Sequence, residues 1–164
     1  MTTQTLQSRA LIALSMALAV AGTVAFSPAH AGECPADKVG TDVMKPGATA
    51  PKDVTDTVLS ALDLGKQDPA FAGRQLRLRR LVIQPGGIVP WHNHADRPAN
   101  IYIIDGTVTE YRSTCSVPIV HKAGEVAPEF GNLSHWWKNT GDKPAVLISA
   151  DFFSTGTPAK DDHM

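Results

Sequence analysis

Between Thr57 and Phe153 the apolar runs are short, and each is closed by a turn signal. The runs cover residues 57–63, 75–83, 88–94, 99–104, 107–112, 119–121, 125–127, 133–139 and 145–153. Gly86-Gly87, Asp105-Gly106, Lys122-Ala123-Gly124 and Thr140-Gly141-Asp142-Lys143 lie between them. None offers a long amphipathic helix, although a helical turn is an alternative at 57–63. Strands this short bury one face each only in a sandwich or a closed barrel. The spacing therefore predicts an all-β domain, a small antiparallel β-sandwich or β-barrel. Asp105-Gly106 reads as a two-residue hairpin, with Gly86-Gly87 as a break between two strands.

The flanks read differently. Residues 1–31 have the pattern of a secretory signal peptide: Arg9 as the only charge, an apolar run from Ala10 to Phe26, and a small-residue site at Ala29-His30-Ala31. Cleavage would fall before Gly32 and leave no segment able to span a membrane; an uncleaved anchor is the alternative. No Arg-Arg pair precedes the run, which points to export of the unfolded chain into a periplasm or the medium. Residues 32–56 are rich in Pro, Gly, Lys and Asp and read as an extended arm, and residues 154–164 as a disordered polar tail. Cys34 and Cys115 are the two cysteines, and an even count in an oxidising compartment predicts a disulfide between them.

The 15 basic and 16 acidic side chains leave a formal net charge of −1. Nucleic acid is a poor partner for such a chain, because phosphate binding needs a surplus of Lys and Arg on one face. There is no Cys-x-x-Cys, phosphate loop or Ser-His-Asp spacing.

The histidines carry the chemistry. His92 and His94 are two apart in a strand, so their imidazoles share a face and can chelate one ion. His135 lies in another apolar strand. Neutral imidazole is the commonest protein ligand for divalent transition metals. By itself a His-x-His pair is equally consistent with two ordinary polar side chains near a loop.

In context the pattern resembles the cupin superfamily. Gly86, His92, His94 and Gly106 fall at the spacings of its first motif. Gly124, Pro128, Gly131, His135 and Asn139 take the parts of the second, with an irregular interval between Gly124 and His135. The resemblance runs from Thr57 to Phe153 and assigns residues 57–153 to one cupin domain. It looks closest to small, exported, single-domain cupins and implies a double-stranded β-helix of jelly-roll type. It implies one divalent transition metal (Fe, Mn, Zn, Cu or Ni) on His92, His94 and His135. The family's ligand Glu would sit at position 99, where this chain has Ala99. Three histidines alone would leave positions open for water, oxygen or a bidentate substrate. Asp96 is a substitute ligand on paper, but its loop placement predicts exposure.

Three further residues are candidates for holding a substrate. Taking the alternation Leu76, Leu78 as the inner face puts Arg80 inward, able to grip a carboxylate; a bulge would return it to solvent. Arg97 follows the His-x-His pair on a rim loop. Trp137 shares a face with His135 and could wall the pocket, or serve as core packing. Tyr102 is out of phase with the site, and His121, between an apolar run and a turn, reads as a surface residue. Together these features predict an exported cupin acting on a small-molecule ligand as a metal-dependent, dioxygenase-like oxidoreductase. The alternatives are a non-catalytic metal or small-molecule binding protein and a metal-free structural cupin. A homodimer is compatible with either, since pairing at sheet edges protects them.

Overall fold

The structure, a computed structural model, describes residues 32–156, so the predicted signal peptide and residues 157–164 of the tail lie outside the described residues. Eight strands follow in order: β1 (Lys52–Asp63), β2 (Arg74–Asn93), β3 (Ala99–Asp105), β4 (Thr107–Arg112), β5 (Ile119–Lys122), β6 (Val126–Glu129), β7 (Ser134–Lys138) and β8 (Ala145–Ser154). Every pairing is antiparallel, in the order β5-β4-β7-β2-β8-β3-β6 with β1 on β2, and the sheet curls into a nearly closed barrel. Helix is confined, among the described residues, to three short 3-10 turns. None is long or apolar enough to cross a membrane.

Gly86-Gly87 bends a strand without ending it. β2 runs through both glycines, pairing with β8 before them, with β7 after them, and with β1 up to Ile83 and again at Ile88. Gly86 has φ +75°, which a side-chain-bearing residue resists. A β-carbon on Gly87 would stand 2.7 Å from the Asp53 carbonyl oxygen and 2.8 Å from that of Gln84. The bend hands one strand from one half of the barrel to the other.

Asp105-Gly106 is a corner, not a hairpin. β3 pairs with β6 and β8, whereas β4 pairs with β5 and β7. Gly106 supplies the reversal with φ +79°, and the Asp105 side chain accepts its N–H at 2.8 Å. Turn chemistry dictates only that the chain reverses. The longer-range partners decide which strands meet, and here each flanking strand finds two elsewhere.

The arm and tail are shorter than the sequence suggests. β1 starts at Lys52, inside the predicted arm, and Ser154 pairs with Arg74 as the end of β8. What remains of the arm is held to the barrel. Cys34 and Cys115 form a disulfide, Val39 bridges Cys115, and Ala48 accepts the N–H of Trp91 at 2.7 Å.

The barrel interior carries an apolar cluster and a polar one. Ile83, Ile103, Val108, Ala127, Ala145 and Leu147 belong to the first, the isoleucines, valine and leucine each contributing about 1.5–3 kcal/mol by leaving water. The remainder is polar. β2 is in the opposite phase from the one Leu76 and Leu78 suggest: they are 46% and 39% exposed, while Leu81 and Ile83 point inward. Arg77 and Arg79 therefore share the inner face. The cause lies on β8, where Asp151 stands opposite Arg77 and Ser149 opposite Arg79, and on β1, where Asp56 reaches Arg79. Buried arginines are retained where acceptors of this kind meet them.

Candidate metal centre

Three strands bring four ligand atoms together. His92 and His135 are cross-strand partners on β2 and β7, and His94 follows just past the end of β2. Their Nε2 atoms form a triangle with sides of 2.9, 3.0 and 3.2 Å. Glu129, at the end of β6, places one carboxylate oxygen 3.1 Å from His94 Nε2 and the other 3.3 Å from His135 Nε2. All four residues are buried, and the ligand atoms lie within 4.8 Å of one another.

The far side of each ring fixes its tautomer. His92 Nδ1 faces the Pro90 carbonyl at 2.8 Å, His94 Nδ1 the Arg97 carbonyl at 2.7 Å, and His135 Nδ1 the Glu110 carboxylate at 2.5 Å. Carbonyls and carboxylates only accept, so each Nδ1 carries the proton and donates; at His135 the 2.5 Å contact to Glu110 prevails over the Trp137 Nε1–H, 3.2 Å from the same nitrogen. An uncharged ring held this way turns a bare Nε2 lone pair toward the other two. Three lone pairs and a carboxylate at this spacing repel one another unless something positive lies between them. The donor set suits a transition-metal dication. The spacing suits it too: ligands at right angles, about 2.1 Å from an ion, would stand about 3.0 Å apart.

Glu110 is the outer support. It is fully buried on β4 and also meets His121 Nε2 at 2.9 Å and Arg112 at 2.7 Å. Burial pushes its carboxyl up, but the hydrogen bonds from His121 and His135 outweigh that and hold it well below the usual carboxylate range. Burial drives His92 and His94 toward the neutral form, His94 down to about 3, reinforced by the neighbouring His135. It also pushes Glu129 up to about 7.

A cavity of about 30 Å³ opens against the cluster. His92, Glu129, Trp137, Arg79, Arg97 and Ser149 are among its lining residues. Arg79 and Arg97 both lie near a buried counter-charge outside its lining. Asp151 accepts two hydrogen bonds from Arg77, at 3.0 and 2.8 Å, and lies 3.3 Å from Arg79 and 3.8 Å from Arg97. Arg79 also pairs with Asp56 and donates to Ser149 at 3.3 Å.

Against the sequence reading, His92, His94 and His135 meet at one point. Arg97 and Trp137 line the cavity beside them, and Asp96 is exposed. Arg80 does not: it points outward, between Thr57 and Ile148 on the neighbouring strands, and Arg79 takes the inner position by simple alternation. His121 is fully buried rather than superficial, stacked on Trp137 at 4.8 Å. Glu129 and Glu110 were missed. Glu129 had a signal, since it shares a strand phase with buried Ala127. Glu110 had none beyond its place in a strand that is buried on both faces at its centre.

Comparison with known proteins agrees with this geometry. Residues 79–151 match the family described as Cupin domain. The chain is 31% identical over 118 residues to Nectarin-1 of Nicotiana langsdorffii x Nicotiana sanderae, covering 70% of this chain and 50% of that protein. It is 30% identical over 95 residues to auxin-binding protein ABP19b of Prunus persica, covering 56% and 44%. It is 28% identical over 113 residues to germin-like protein 1 of Brassica napus, covering 66% and 54%. The chain thus spans about half the length of these curated relatives. A solved structure described as a predicted oxalate decarboxylase from Thermotoga maritima superposes with a TM-score of 0.50 at 19% identity, covering 70% of this chain and 97% of that one, a likeness of fold. By its strand order, by the match over residues 79–151 and by these relatives, the chain belongs to the cupin superfamily.

Proposed function

We propose that this chain is an exported metalloprotein whose His92, His94, His135 and Glu129 hold one divalent transition metal. The observation that carries the reading is the convergence of three Nε2 lone pairs, each enforced by an acceptor behind the ring. Three neutral ligands and one carboxylate would leave an ion net positive and able to polarise a bound oxygen atom. The surrounding residues do the rest. Trp137 and Leu147 wall the cavity, while Arg79 and Arg97 present positive charge to it. Those walls suit a metal-dependent oxidoreductase of dioxygenase type, with a small organic substrate at the cluster. Export is supported by the signal-like residues 1–31 and by the Cys34–Cys115 disulfide, a bond characteristic of oxidising compartments.

Elemental analysis of protein recovered from the exported fraction tests the site. One equivalent of Fe, Mn, Zn, Cu or Ni is expected, and it should be lost in His92→Ala and His135→Ala. A folded protein without stoichiometric metal would overturn the reading.

One observation favours a second reading, a non-catalytic binder. A cavity of about 30 Å³ has room for roughly two water-sized groups. Oxygen uptake by the metal-loaded protein across a panel of small organic substrates separates the two. Turnover supports the enzyme; tight metal binding without any supports the binder.

A further inference from the structure

His121 has an unmet need. Its Nε2 donates to the Glu110 carboxylate at 2.9 Å, which leaves Nδ1 with a lone pair. That nitrogen is buried without a hydrogen-bond partner, on a side chain that is fully buried. An unsatisfied acceptor in the interior is destabilising, because its hydrogen bond to water is lost and not replaced. Turning the ring over would break the Nε2 bond to Glu110.

What faces Nδ1 is the start of the arm. A substituent on the Cα of Gly32, in the position a β-carbon takes, would stand 2.9 Å from His121 Nδ1 and 2.9 Å from Glu125 Oε2. Gly32 is held there by the Cys34–Cys115 disulfide two residues on, and by the bridge between Val39 and Cys115. In a chain that begins at Gly32, one staggered rotation about its Cα–C bond carries the α-nitrogen into that same position. The N–Cα bond, about 1.46 Å, is close to the reach of a carbon substituent. The amine would then meet both acceptors at the length of a charge-assisted hydrogen bond, about 2.7–2.9 Å.

We infer that the α-ammonium of Gly32, released by processing, docks between Glu125 and the Nδ1 of His121. The inference rests on the export reading above, which puts cleavage at the Ala31–Gly32 bond. Hydrolysis of that amide adds one water, leaving a carboxylate on Ala31 and an amine on Gly32 that is protonated at neutral pH. The precursor has an amide at this place, with one N–H and no charge. The docked ammonium stands at the outer end of a hydrogen-bonded line, His121 to Glu110 to His135, that ends at the ligand cluster. Glu125 supplies the charge and His121 the buried acceptor.

The test uses the protein recovered after export of the full chain. Intact mass gives its first residue, and an amine-acylating reagent measures how fast Gly32 is labelled. We expect a start at Gly32 and labelling roughly tenfold or more slower in the folded protein than in the same protein reduced and unfolded in urea, the protection of one charge-assisted contact. Glu125→Gln, at a half-buried position outside the cluster, should remove most of that protection while the fold persists. His121→Phe should do the same where it folds. A first residue other than Gly32 overturns the processing reading and the docking with it. A Gly32 start with labelling at the unfolded rate, or with protection unchanged in Glu125→Gln, overturns the docking alone.

Discussion

Ala99 and Glu129 are direct cross-strand partners on β3 and β6, and both point into the barrel. The carboxylate missing from position 99 is thus replaced from the facing strand, on the same side of the same pair. This predicts that the site tolerates a transfer. Glu129→Ala should weaken metal binding by at least about tenfold, and adding Ala99→Glu should restore part of the loss. Competition titration against a chromogenic chelator measures both.

Glu110 should matter without touching the metal. Glu110→Gln removes the negative charge and leaves one acceptor oxygen where His135 and His121 each use their own, and metal affinity should fall by about 10–100-fold. It also strands the neighbouring Arg112, a change of the kind that costs roughly 3–5 kcal/mol when a buried pair is broken. Urea unfolding of the metal-free variant reads the second effect separately.

Acid should unfold the metal-free protein in a defined window. His92 and His94 are held neutral in the fold, His94 until about pH 3, whereas the unfolded chain takes up protons below its ordinary 6.5. The unfolded state then binds more protons, so stability falls as pH drops from about 6.5, by up to about 1.4 kcal/mol per unit for each histidine. Glu129 acts in reverse: it keeps its proton to about 7 in the fold against 4.5 unfolded, so its share of stability is lost as pH rises from 4.5 to 7. Two histidines against one carboxyl leave a net loss on acidification between 6.5 and 4.5, steeper below 4.5. Melting temperature against pH in excess chelator checks the slope.

Arg79 and Arg80 should behave as opposites despite being neighbours. Arg79→Ala leaves Asp56 and Asp151 buried against less positive charge and should cost about 3–5 kcal/mol. Arg80→Ala, on the outer face, should stay within about 0.5 kcal/mol. Denaturant midpoints of the two variants decide the phase of β2.

Opening the disulfide should destabilise the fold. The bond closes a separation of 81 residues, worth up to about 4 kcal/mol in the chain-entropy picture. A Cys34→Ser, Cys115→Ser double variant, unfolded in urea beside the oxidised parent, gives the value.

The strands were legible because apolar runs and turn residues mark them locally. Pairing was not: Asp105-Gly106 announces a reversal, yet β3 and β4 find partners more than a dozen residues away. The three histidines were legible through spacing, because alternation on one strand is local geometry. Glu129 was not, because its role depends on which strand lies beside β3. Nor was the inner face of β2. Leucines outside and arginines inside invert the usual rule, and only the partners Asp56, Ser149 and Asp151, far off in the chain, explain it. His121 likewise hides beside a turn and becomes buried only when β5 closes over Trp137.

The long bent β2 has a kinetic consequence. β1, just upstream, can pair with its first half early, but its partners β7 and β8 lie some forty to eighty residues downstream, so its other edge stays open until almost the whole chain is present. Topologies dominated by such distant pairings fold in milliseconds to seconds rather than microseconds. During that interval Cys34 must find Cys115 on a chain still searching for its register. Oxidation and strand assembly are therefore competing clocks, and an oxidant that outruns β2 would lock the arm before the barrel has closed.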